Sequence, residues 1–202
     1  MGTRSRRTVD VRRDEILAST TDLVDRLGLA ALRVADVAKE LGVSPALVFY
    51  HFGTKDALVA DAFTYAVERD MSRVDAAVAK ANNPLDKMRR ALKSYGPTGA
   101  AAGWRIWIDA WALAQREPTI GAVLRGFDER WRSVLQAIIT EGVQSGDFTC
   151  TDPEASVAQI SASLDGLSVA ALVYRSVTRV QLRQWMREGI AREIGIDPAA
   201  LA

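Results

Sequence analysis

A chain of 202 residues has room for one large or two small domains and for a sizeable hydrophobic core. Apolar residues make up 49% and charged residues 25%, which excludes a wholly disordered chain. The net charge of +1 is no argument for nucleic acid by itself, and no uninterrupted apolar run approaches the ~20 residues of a membrane span or follows the N-terminal arginines as a secretory signal would.

One cysteine, Cys150, cannot close an intrachain disulfide or build a cysteine-based zinc site. One histidine, His51, leaves most metal and triad chemistries short of parts. The expected protein is therefore cytoplasmic, carries no metal or cofactor and has no catalytic residues. An enzyme is further disfavoured because there is no phosphate loop and no serine-nucleophile elbow.

In chain order, residues 1–13 carry Arg4, Arg6, Arg7, Arg12 and Arg13 against Asp10. This positive arm is either a solvated tail or a support for contacts made by the helices downstream of it. Ile16, Thr20, Leu23, Val24 and Leu27 line one face of a first helix, predicted over 9–28 and ended by Gly28. Further helices are predicted at 34–41, 45–51, 55–80, 84–95, 103–116, 118–145, 153–175 and 179–194. Several start where a polar residue precedes proline, as in Ser44-Pro45, Asn83-Pro84, Glu117-Pro118 and Asp152-Pro153. Proline suits the first helical position because the N–H it lacks would go unpaired there. Gly96-Pro97-Thr98-Gly99 is the clearest internal break. Strand signals are weak, so the expected class is all-α, with about nine helices.

Val34, Val37, Ala38 and Leu41 form a short apolar face, and Gly42 supplies the positive-φ position that ends the helix sharply. Ser44-Pro45 starts the next helix. Two short helices on a tight glycine turn place the second in a DNA major groove. On the expected outer face of that helix lie Ser44, Pro45, Ala46, Val48, Tyr50 and His51. Short side chains at Ala46 and Val48 permit close approach and contact with a thymine methyl. Tyr50 and His51 can donate to phosphates. The competing roles are packing of Tyr50 on the following helix and a structural His51 at the helix end. Thr54-Lys55 opens that following helix, where free amides and a lysine suit a phosphate.

The runs Gly42-Val43-Ser44, Phe49-Tyr50-His51-Phe52 and Thr54-Lys55-Asp56-Ala57-Leu58, with Gly28-Leu29 and Asp36-Val37-Ala38 before them, resemble the signature of the TetR family of bacterial repressors. The resemblance covers roughly residues 10–60. It implies a three-helix DNA-binding domain, assigned to 1–54, and a larger helical ligand-binding and dimerisation domain, assigned to 55–202, with helix 55–80 linking them. It also implies backbone contacts from His51 and Lys55. Two positions depart from the family pattern. Phe49 stands where tyrosine is usual. Arg33 stands where serine or threonine caps the helix; it cannot cap, but it can reach a phosphate.

Trp104, Trp107, Ile108 and Trp111 share one helical face, and Phe127 and Trp131 lie on the next helix. They form either core or a pocket wall. This region resembles the choline-responsive betaine regulators. Asp109 and Asp165 interrupt apolar stretches, and an ionised carboxylate there needs a cation or a hydrogen-bond partner. Tryptophan faces beside a carboxylate suit an ammonium group, so a cationic amine is the expected inducer. The alternative is that both aspartates face solvent or are locally paired.

The last two helices are rich in small and apolar residues. They either form a homodimer interface, as the resemblance implies, or close the monomer core. A two-fold dimer predicts a pseudo-palindromic double-stranded operator with half-sites about 34 Å apart or more. The expected function is a homodimeric repressor released by a small molecule. The alternative is a helical ligand-binding or interaction module that has lost DNA recognition.

Overall fold

The computed structural model describes the backbone of residues 2–95 and 103–202, and the side chains of residues 12–94 and 106–202. Among the described residues there are helices and connecting turns but no strand. The helices are α1 (Gly2–Leu27), α2 (Val34–Leu41), α3 (Pro45–Phe52), α4 (Lys55–Val78), α5 (Pro84–Tyr95), α6 (Gly103–Ala114), α7 (Pro118–Ser145), α8 (Pro153–Leu172) and α9 (Arg179–Ile194). A single 3-10 turn, Pro198–Leu201, follows α9. The all-α expectation holds.

The helix ends follow from local chemistry. Gly42 adopts φ 64°, ψ 33°, and the N–H of Val43 returns to the Ala38 carbonyl at 2.9 Å. That left-handed cap reverses the chain within two residues. Ser44 then accepts the Leu47 N–H, with Pro45 at the first helical position. Asp152 accepts the Ala155 N–H at the start of α8. Thr178 and Gln181 form a reciprocal capping box at the start of α9.

Two ends differ from expectation by three residues or more. α1 begins at Gly2, well before residue 9, because nothing from Thr3 onward breaks a helix. α8 stops at Leu172 rather than near 175. There Arg175 takes a positive φ of 53°, and the Ser176 N–H returns to the Ala170 carbonyl.

The described chain divides into two compact units. The first comprises residues up to Arg69 together with Arg105–Arg125. Here α2 packs on both α1 and α3. Ile16, Leu32, Val37, Leu58 and Phe63 are fully buried. The second comprises Asp70–Trp104 and Gly126–Ala202. Its core joins Val74 of α4, Met88 of α5, Leu135 and Ile139 of α7, Ile160 and Leu164 of α8, and Leu182 and Ile190 of α9.

Candidate functional site

The α2–turn–α3 segment presents a helix whose two sides differ sharply. Ser44, Pro45, Ala46, Phe49 and Tyr50 are exposed, with Tyr50 at 76% and Phe49 at 45%. Tyr50 is thus not packed away on α4; its ring meets that of His51 edge-on at 5.4 Å. His51 is half-buried. Val48 corrects the sequence expectation: it is 1% exposed, and Phe52 four residues on is buried with it. It therefore anchors α3 inward and cannot touch a base. The helix Pro-Ala-Leu-Val-Phe-Tyr-His-Phe is apolar on nearly every side, so periodicity did not reveal which side faces in.

Arg33 occupies the N-cap position of α2 in an extended conformation, with no side-chain cap bond. It is exposed. Lys55 opens α4 and its Nζ donates to the Ala30 carbonyl at 3.4 Å. An ammonium has three donors, so this leaves capacity for a phosphate. Thr54 accepts the Ala57 N–H at 3.1 Å, capping the same end.

Sequence reasoning counted Arg13 in the positive arm but missed its partners. Its guanidinium donates to Asp61 on α4 at 2.6 Å and lies 5.0 Å from the centroid of the Phe52 ring. The residue thus ties α1 to α4 and to the end of α3. Its partners stand about forty and fifty residues away, so no local signal marked it.

The residues expected to hold a ligand are divided between the two units. In the first, Trp107 is buried edge-on against Phe63, ring centroids 5.5 Å apart. Trp111 is half-buried. Asp109 accepts the Leu29 N–H through Oδ2 at 3.0 Å. That carboxylate is locally paired, the alternative the sequence left open. The side chain of Trp104 lies outside the described residues.

In the second unit, Phe127 is buried and Trp131 belongs to the core cluster. Asp165 on α8 is an exposed residue, and the protein packed around it only partly desolvates the carboxylate. Its pKa rises from 3.8 to about 6, chiefly through that burial and then through Asp128, with Arg132 opposing. Arg132 and Asp128 sit one turn apart on α7, with Nε and Oδ2 3.7 Å apart. One turn before Asp165, the buried Ser161 hydroxyl has no hydrogen-bond partner among the described residues.

A capped helix-turn-helix with an outward α3, followed by a larger helical unit, places the chain among the helix-turn-helix proteins. The family models agree. Residues 16–62 match the bacterial regulatory proteins of the TetR family, and residues 84–195 match the C-terminal part of BetI-type transcriptional repressors. The second match alone covers 112 of the 202 residues (84 through 195), and the chain belongs to the TetR family with a BetI-type C-terminal part.

Among curated relatives, the BetI regulator of Stenotrophomonas maltophilia is 28% identical over 132 residues, 62% of this chain and 65% of the relative. That of Brucella canis is 29% identical over 128 residues, 62% and 64% of the two chains. The match thus spans slightly under two thirds of these relatives. A solved transcriptional regulator from Saccharomonospora viridis, in complex with choline, superposes with a TM-score of 0.84 at 26% identity, over 92% of this chain and 98% of that one. A regulator from Haloarcula marismortui shares the fold, with a TM-score of 0.81 at 23% identity over 92% and 97%.

Proposed function

We propose that this protein is a cytoplasmic homodimeric repressor that holds a pseudo-palindromic operator and releases it on binding a cationic amine of the choline type. The observation that carries the DNA-binding half is the outward side of α3, with Tyr50 76% exposed on a helix held from within by Val48 and Phe52. Ser44, Pro45 and Ala46 face the groove. Arg33, Tyr50, His51 and Lys55 surround them with groups suited to phosphate.

The ligand half is supported by the partly desolvated Asp165 with Asp128 and Arg132, by the Ser161 hydroxyl, unpaired among the described residues, and by the choline held in the S. viridis structure. The carboxylate neutralises the ammonium, and Ser161 pairs with a ligand hydroxyl. Phe127 and Trp131 supply aromatic surface on the neighbouring helix. Trp107 and Trp111 hold α6 within the first unit, and Asp109 is already engaged with Leu29.

Release requires the ligand to bind more tightly to conformers whose recognition helices do not match successive major grooves. Fluorescence anisotropy on duplexes from the neighbouring promoter tests this. The expected result is sequence-specific, salt-sensitive binding that choline weakens, while a neutral isostere of choline does not. Absence of specific retention at any salt concentration favours the alternative of an interaction module without DNA recognition.

Dimerisation is supported by α8 and α9. α8 is long and apolar enough to pass for a membrane span, yet only 33% of its apolar window is buried within the chain. A groove of about 490 Å³ runs between the two helices, lined by Ser163, Gly166, Leu167, Trp185, Met186 and Gly189. Small residues on α8 allow close approach by the same helices of a second copy.

A further inference from the structure

The outer face of α3 carries an unusual set of side chains for a helix that reads DNA. From Pro45 to Phe52 there is no arginine, lysine, asparagine, glutamine, aspartate or glutamate. Those are the side chains that recognise base edges in the major groove: arginine and lysine at guanine, asparagine and glutamine at adenine, acids at cytosine. What the helix offers instead is Pro45, Ala46 and Phe49, all exposed, with Phe49 at 45%. Ala46 and Phe49 stand three residues apart, and Pro45 and Phe49 four, so the three form one contiguous patch. The apolar group that a standard base pair presents in the major groove is the C5-methyl of thymine.

Building on the DNA-binding role above, we propose that α3 selects its half-site by packing Ala46 and Phe49 against thymine C5-methyl groups. Pro45 flanks the patch. Tyr50, one turn beyond Ala46, and the half-buried His51 face phosphates, which position the helix without reporting sequence. Ser44 already accepts the Leu47 N–H, which fixes its oxygen toward its own helix. The bidentate base contacts of arginine, lysine, asparagine and glutamine are therefore unavailable to this helix, and methyl placement carries its share of specificity.

Replacing thymine by deoxyuridine removes the methyl and leaves the base-pair hydrogen bonds intact. The full-length protein first enriches preferred duplexes from a random-sequence pool. The consensus is then resynthesised with deoxyuridine at each thymine in turn and titrated by anisotropy. Loss of one buried methyl corresponds to about a four-fold weaker Kd, and this is expected at the thymines beneath α3. The same substitutions should lose their effect in Phe49→Ala or Ala46→Ser, whose exposed side chains leave the fold intact by circular dichroism. The inference is overturned if deoxyuridine duplexes bind as tightly as thymine duplexes while sequence preference persists, or if the penalty stays undiminished in both variants. A pool that yields no preferred sequence overturns the DNA-binding reading as well.

Discussion

Leu29 is 1% exposed, so its amide N–H has little access to water, and Asp109 accepts it across eighty residues of sequence. The preceding Gly28 has φ +85°, and a Cβ there would stand 2.9 Å from the same carboxylate oxygen. Removing the acceptor orphans a buried donor, so Asp109→Ala should cost about 1–3 kcal/mol, read as a lower urea midpoint with unchanged slope. Asp109→Asn keeps an acceptor oxygen and should cost less. If Asp109 instead bound the inducer, choline affinity would fall in Asp109→Ala while stability held. At Asp165 the effect is one of pH. Its native pKa of about 6 lies above the ordinary 3.8, so the folded state binds more protons than the unfolded state between those values. The associated stability is full below about pH 3.8 and is lost as pH rises through about 6. Asp165→Asn should therefore be more stable than the parent at about pH 7, by about 1 kcal/mol after allowing for screening by solvent, and gain nothing at about pH 4. Thermal unfolding at the two pH values measures the difference. An identical offset at both would show that the carboxylate is not desolvated.

At the level of elements, glycines that look alike in the sequence do different jobs. At Gly42 an added Cβ would meet nothing within 4 Å, so Gly42→Ala should cost only the left-handed backbone, about 1 kcal/mol. At Gly142 inside α7 an added Cβ would collide with the ring of Phe148, which is buried. Gly142→Ala should thus be the more destabilising of the two by about 1–3 kcal/mol through overpacking, a ranking that chemical denaturation checks directly. Helix ends were legible in the sequence because caps are local: Ser44-Pro45, Asp152-Pro153 and Gly42 each act on residues at most five positions away. The inward turn of Val48 was not legible, since an apolar octapeptide has no polar side to mark the outside. Nor were the bonds from Asp109 to Leu29 or from Arg13 to Asp61, because nothing near either residue announces a partner on another helix. The candidate DNA face was therefore readable as a motif, with one residue on the wrong side. The ligand residues were readable only as separate candidates, which serve different units.

For the whole molecule, the decisive question is what covers α8 and α9. Tyr174, Val180 and Trp185 are exposed large side chains, and Trp185 lines the groove between the two helices at 43% exposure. Met186, Leu182 and Ile190 of α9 are buried in the core, so the helix is already held to its own chain by its inner side. Trp185 is therefore free to be charged without emptying that core. In a homodimer built through these helices, Trp185→Glu would desolvate a carboxylate on each side of the two-fold axis, where like charges oppose each other. The variant should run as a monomer in size-exclusion chromatography with light scattering, at half the parent's mass, with its circular dichroism preserved. A monomer presents one recognition helix, and the second half-site then loses the effective concentration that tethering provides. Operator affinity should fall by about a hundred-fold or more, while binding to an isolated half-site stays close to that of the parent. A parent protein that is itself monomeric at micromolar concentration would remove the dimer. Retained mass in Trp185→Glu would move the interface away from this groove.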